Sequence, residues 1–139
     1  MKLILASSHN IGSYIIRLFT FSKWSHVAIM LDEFNVIDST AKYGVRIQSM
    51  DYFKSRHFNL ETIEVDLPNF DNALSFAYKQ VGKKYDWSAI FGLIFQRNWQ
   101  EADKWFCAEL AEAICIAGGR QRFRDEVSRI TPQQTWAVK

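Results

Sequence analysis

Between residues 24 and 65 the chain carries four short runs rich in β-branched and apolar residues, and after residue 70 helical periodicity takes over. Runs of this kind, bounded by polar turns, are strands. Here they cover Trp24–Leu31, Phe34–Ser39, Gly44–Gln48 and Asn59–Val65, with Asp32 and Glu33 in the turn between the first two. Read as consecutive neighbours they make an antiparallel meander. Along the last run Leu60, Thr62 and Glu64 alternate with Glu61, Ile63 and Val65, so neither face is wholly apolar and the run suits a sheet edge. Upstream, Lys2–Ser7 reads as a buried strand and Ile11–Phe21 as a short helix, with Ile11, Ile15 and Leu18 at helical spacing. Downstream, Asp71–Val81 carries the stripe Ala73, Leu74, Ala77, Tyr78 and Val81, and Gly82 stops it. Trp87–Phe95, capped by Asp86, is a second helical run. A third, capped by Asp103 and ended by Gly118-Gly119, carries Cys107. The tail Ile130-Thr131-Pro132-Gln133 is expected to be extended because of its proline. Strand, helix, a block of strands, then helices describes a segregated α+β domain.

The 139 residues form one domain, 1–139, and the hydrophobic share of 48% is enough for a packed core. A net charge of +2 gives no reason to expect a nucleic-acid partner. The basic group Arg120, Arg122 and Arg124 reads as a solvated turn. The two cysteines, Cys107 and Cys115, have no metal-ligand spacing around them and call for no cofactor. On one helix they stand more than about 10 Å apart, too far to bridge. A free thiol suits a reducing compartment, and the N-terminal apolar run is too short for a signal peptide. No run is long enough to span a bilayer. The expectation is a cytoplasmic protein without a transmembrane segment.

Cys107 stands where a helix should begin, after Trp105 and Phe106. Unpaired N–H groups and the macrodipole at a helix start favour a thiolate. Cys115, between Ile114 and Ile116, reads as an ordinary buried cysteine. A thiol nucleophile needs a base, and His26 lies within the apolar strand Ser25-His26-Val27-Ala28-Ile29. Twelve positions on comes Asp38. A three-residue hairpin loop, 32–34, sets Leu31 opposite Asn35 and Ala28 opposite Asp38. His26 and Asp38 then share a face as diagonal neighbours. A two-residue loop places Asp38 on the other face and breaks the pair. His9 and His57 are rival bases in polar surroundings and rank lower.

These residues resemble a family. Ser25-His26-Val27-Ala28-Ile29 with Val36-Ile37-Asp38 is similar to the histidine strand of the NlpC-type cell-wall peptidases. Gly82 with Lys84-Tyr85-Asp86 resembles that superfamily's G-x-x-Tyr segment. Phe106-Cys107-Ala108-Glu109-Leu110 looks like the nucleophile motif of its circularly permuted branch, and Ile130-Thr131-Pro132 like its closing threonine–proline segment. The order histidine, acid, tyrosine, cysteine is that of the permuted papain-like proteins, which include the YiiX-like branch and the lecithin:retinol acyltransferase group. The match runs over roughly residues 3 to 133.

The resemblance implies an antiparallel sheet or small barrel packed against helices, with the cysteine helix on the sheet. It implies Cys107 as nucleophile, His26 as base, Asp38 as orienting acid and Tyr85 beside the oxyanion or substrate. The activity is then a peptidase or amidase cleaving an amide, ester or thioester bond, without metal or cofactor. Its substrate is a peptide, a peptidoglycan-derived or a lipid-linked molecule, and its origin phage or bacterial. Two alternatives stand beside it: acyl transfer on lipid, with Phe91, Phe95, Trp99, Trp105 and Phe106 lining an acyl groove, and a non-catalytic binding module. Three positions depart from the family pattern. Asp32-Glu33-Phe34 replaces a glycine-containing turn. Asp38 is shorter than the Glu or His found in relatives and needs a water or a closer strand. Ala108 stands where serine is common.

Overall fold

The computed structural model describes residues 1–88, 103–124 and 130–138. Among these, strands β1 (Lys2–Ser7), β2 (His26–Met30), β3 (Asn35–Thr40), β4 (Gly44–Ser49) and β5 (Phe58–Glu64) form one antiparallel sheet. Its order is β4-β3-β2-β1-β5. The architecture is therefore α+β with a five-stranded antiparallel sheet.

Alternation along the strands divides the core into two layers. Leu3 and Leu5 of β1, Val27 and Ile29 of β2, Ile37 and Val45 face one side. There they pack on α4 (Cys107–Ala117), whose Cys107, Leu110, Ala111 and Ile114 are buried. Ile4, Ala6, Ala28 and Val36 face the other side, under Met50 and Phe53 of α2 (Met50–Arg56). Each of these side chains is at least nine-tenths buried, and burying one of the Val, Leu, Ile, Met or Phe side chains is worth roughly 1.5–3 kcal/mol.

The expected meander stops at β4. The chain does not turn back beside β4 but forms α2 and crosses to pair β5 with β1, Lys2 opposite Glu64 and Leu3 opposite Ile63. β5 is thus an edge strand, on the far side of the sheet. Helix α2 carries little periodic signal because only Met50 and Phe53 are buried in it; the Ser49 hydroxyl, accepting from the Tyr52 N–H at 3.3 Å, starts it. Helix α1 (Ile11–Thr20) lies where expected, capped by Asn10, which accepts from the Ser13 N–H at 2.7 Å. Its apolar stripe faces outward, however, with Ile11 and Leu18 exposed and Ser13 buried. Helix α3 (Phe70–Gln80) is capped by Asn69 and stopped at Gly82, whose φ is 87°.

Two local expectations are corrected, and one short strand contact is added. Asp103 does not cap the cysteine helix: its φ is 69°, and the chain passes through β7 (Lys104–Trp105) before Phe106 takes the N-cap position. β7 pairs in parallel with β6 (Lys84–Tyr85), Tyr85 opposite Trp105, a contact between segments too short to be read as strands. The tail is extended only to Thr131. Pro132 then occupies the first turn of α5 (Pro132–Ala137), where its missing N–H costs nothing, and Thr131 and Gln134 form a capping box. The helical run expected from Trp87 begins at Trp87 and Ser88, and the rest of it, with Phe91 and Phe95, lies outside the described residues, as does Trp99.

Arg122 is not part of a solvated turn. Its side chain is 3% exposed, donates to the carbonyls of Thr135 and Val138, and faces the buried Glu112 carboxylate at 3.8 Å. It ties α5 to α4. No helix among the described residues is long and apolar enough to cross a membrane.

Candidate active site

The hairpin between β2 and β3 decides whether His26 can meet Asp38. Asp32 builds its turn: Oδ1 accepts from the N–H of Phe34 at 2.7 Å and of Asn35 at 2.8 Å. An Asx turn of this sort replaces the flexibility a glycine would supply. The Asn35 side chain adds two more bonds to Asp32, and these donors hold the exposed Asp32 carboxyl below its usual range. The resulting register pairs Ala28 with Asp38 and Ile29 with Ile37, and the Leu31 N–H donates to the Asn35 carbonyl. This is the three-residue-loop register. His26 and Asp38 share a face, and His26 Nε2 lies 2.8 Å from Asp38 Oδ2. The short aspartate reaches the imidazole directly.

Asp38 is fully buried and held from two further sides. Gln48 Nε2 donates to Oδ2 at 2.8 Å, and Arg46 Nε lies 3.5 Å from Oδ1. The Arg46 guanidinium lies over the Tyr43 ring at 4.4 Å. Neither Arg46 nor Gln48 stood out in the sequence. Both occupy alternate positions of β4 on the Asp38 face, Arg46 directly opposite it, so the register of the second hairpin is the signal that points to them.

Cys107 is the first residue of α4 and is 1% exposed. Anchors on either side of the preceding segment place it. The Ser39 hydroxyl donates to the Trp105 carbonyl at 2.7 Å, Trp105 Nε1 donates to Gln80 Oε1 at 3.1 Å, and Tyr85 pairs with Trp105. Phe106 is fully buried and its ring meets Tyr85 edge-on at 6.1 Å. Helix α4 packs on β2 and β3, the strands that carry His26 and Asp38.

The electrostatics link the three residues. Burial alone lowers the His26 pKa, but hydrogen bonds to Asp38 and then to Cys107, and the charges of both, raise it to about 10. The imidazole is therefore charged at neutral pH, bonded to the Asp38 carboxylate through Nε2 and electrostatically linked to the Cys107 thiol. Tyr85 is buried against Trp87 and Phe106, and burial, with the charges of Cys107, Glu109 and Asp86, pushes its phenol well above the ordinary range. The phenol stays protonated, a donor and not a base.

A cleft of about 150 Å³ opens beside His26 and Tyr85, lined also by Ser8, Ser13, Ser25, Ser39 and His57; Cys107, 1% exposed, is not part of its lining. Its wall is rich in hydroxyls. Ser13 and Ser25 are linked at 2.6 Å. Of the rival bases, His9 is exposed and stacked on Phe58 at 4.1 Å, away from Asp38. His57 lies beside His26, the ring centroids 5.3 Å apart and the planes within 4° of parallel. Burial, and next the charge of His26, lower its pKa to about 4. Cys115 is buried in α4 and its thiol is raised by burial to about 11. Among the described residues no group of three or more histidine, cysteine or acidic side chains is arranged to hold a metal.

No family model matches the chain, and no curated protein matches its sequence.

Proposed function

We propose that the chain is a thiol hydrolase, a peptidase or amidase, on a circularly permuted papain-like fold of the NlpC type. The observation that carries the reading is the His26 imidazole, bonded at 2.8 Å to buried Asp38, with its pKa raised by Asp38 and by Cys107, the first residue of a helix. The fold assignment is supported by the chain order His26, Asp38, Tyr85, Cys107 and by the packing of α4 on the sheet.

In this reading Asp38 fixes the ring and stabilises imidazolium, and His26 holds the proton given up by the thiol. The Cys107 sulfur attacks a carbonyl carbon, and the negative charge moves to the carbonyl oxygen. As first residue of its helix, Cys107 has an N–H with no intrahelical acceptor, the natural donor to that oxygen. Protonated Tyr85, in the cleft wall, is a second donor candidate. His26 then protonates the leaving amine or alcohol, and water, deprotonated by the same ring, releases the acyl group from sulfur.

The hydroxyl-lined cleft favours peptide or peptidoglycan-derived substrates over acyl transfer on lipid. Of the aromatic residues that would line an acyl groove, Trp105 and Phe106 are packed into the core. A non-catalytic module has no use for a charged imidazole bonded to a buried carboxylate and electrostatically linked to a thiol.

Alkylation tests the reading. Iodoacetamide at neutral pH should modify Cys107 faster than a free cysteine and leave Cys115 untouched, and His26→Ala should remove the advantage. Peptide mapping that finds Cys107 no faster than free thiol, or equally fast in the His26→Ala variant, overturns it. Trapping of an acyl-Cys107 adduct from amide, ester or lipid substrates by mass spectrometry assigns the bond type.

A further inference from the structure

We propose that His57 is a specificity-determining acceptor in the cleft, taking a hydrogen bond from an N–H or O–H that the substrate carries beside the bond under attack. The inference rests on the thiol-hydrolase reading and adds a requirement to it. The substrate must present a donor, as the amide N–H of a peptide does and the ester oxygens of a lipid do not.

His57 closes helix α2, and its Nδ1 donates to the Phe53 carbonyl at 2.8 Å, four residues back. That bond settles the tautomer: Nδ1 carries the hydrogen and Nε2 the lone pair. Among the described residues nothing donates to Nε2. The ring packs against both Phe53, 4.2 Å away, and His26, 5.3 Å away, which are themselves 6.0 Å apart, and it lines the same cleft as His26. The ring is therefore held in place, and using its free nitrogen costs little side-chain entropy.

The charged groups around His57 keep it in the acceptor state. His26 faces it from β2 as imidazolium, Asp38 from β3, and Arg56 precedes it in α2; with burial the balance lowers its pKa to about 4. A second proton on a ring stacked against an imidazolium is disfavoured. The same low basicity makes His57 a poor general base at neutral pH, which leaves recognition and not proton transfer as its use. A ligand with a donor gains a hydrogen bond here that a ligand without one does not, so the donor-bearing substrate is preferred.

The test uses the full chain and a matched pair of acylated aminoacyl chloromethyl ketones. They are identical except that the N–H next to the warhead is replaced by oxygen in one. Methyl methanethiosulfonate, which has no hydrogen-bond donor, reports the intrinsic reactivity of Cys107. The wild type should alkylate with the amide form roughly tenfold faster than with the ester form, the discrimination of one ordinary hydrogen bond. His57→Phe keeps a stacking ring and removes the acceptor. It should bring the amide rate down to the ester rate and leave the methanethiosulfonate rate unchanged. His57→Gln restores an acceptor near the Nε2 position and should recover most of the preference.

A wild type without amide preference, or a Phe variant that keeps it, overturns the proposal. So does a Phe variant slowed equally toward all three reagents, because His57 would then act only by supporting His26. Circular dichroism confirms that each variant is folded, and the Gln variant tests the acceptor independently if Phe disturbs packing. Failure of the hydrolase reading looks different: Cys107 then reacts with methyl methanethiosulfonate no faster than a free thiol, whatever the amide-to-ester ratio.

Discussion

Replacing Asp38 by asparagine isolates the charge that holds His26 as imidazolium. The His26 pKa stands at about 10 against an ordinary 6.5, a difference worth about 5 kcal/mol of preference for the charged ring. Its side chain is 12% exposed, so solvent screens this little. The Asp38 hydrogen bond is the largest favourable contribution, with Cys107 supplying the next. A hydrogen bond to a charged group contributes roughly 1.5–3 kcal/mol, so the Asn variant should lower the His26 pKa by about one to two pH units, to about 8–9. The carbon-bound ring protons of His26, followed by NMR from below 6.5 to above 10, report this directly, with His57 distinguished by its value of about 4.

Stability should follow the same sign. The folded pKa lies above the unfolded one, so the stabilisation from His26 is complete below 6.5 and is lost as pH rises through about 10. In the Asn variant that loss should set in at lower pH. A wild-type His26 that titrates near 6.5, or an Asn variant whose titration matches the wild type, refutes the reasoning.

Three further substitutions probe the frame around the site. Gly44→Ala places a Cβ 2.2 Å from the Lys83 carbonyl oxygen at a φ of 66°, and it strains the link between β4 and β6. It should cost about 2 kcal/mol or more in urea unfolding, and an unshifted midpoint contradicts the account. Arg122→Leu leaves Glu112 buried without its partner and should cost about 3 kcal/mol at neutral pH. Burial already raises the Glu112 pKa, so a proton can replace the arginine in acid, and the loss should shrink as pH falls; a pH-independent loss argues against a buried charge as the cause. Thr131→Ala removes the cap of α5 and should cost about 1 kcal/mol, read as a lower thermal midpoint, whereas an unchanged midpoint means that packing alone holds α5.

What the sequence determined by itself is local. Alternation and β-branching in 24–49 specify β2, β3 and β4, and the length of the Asp32-Glu33-Phe34 loop commits His26 and Asp38 to one face. Those interactions span few residues, so their spacing along the chain is their spacing in space. α2 and the Thr131 cap were also local, but their signals were short: two buried residues in seven, and a proline that reads as a break until its place in the first helical turn is known.

Tertiary structure decided the remainder. The move of β5 to the far edge beside β1, the parallel contact of Tyr85 with Trp105 and the burial of Arg122 against Glu112 all depend on how separate elements pack. So does the site. Eighty residues of sequence separate His26 from Cys107, and no period or motif measures the distance between them. Packing α4 across β2 and β3, and anchoring Trp105 through Ser39 and Gln80, brings the thiol within electrostatic reach of the imidazole. The same folding brings in His57 from a helix with almost no sequence signature. The chemical identity of the site is written in the chain, whereas its assembly comes from contacts whose loop-closure entropy the buried core offsets.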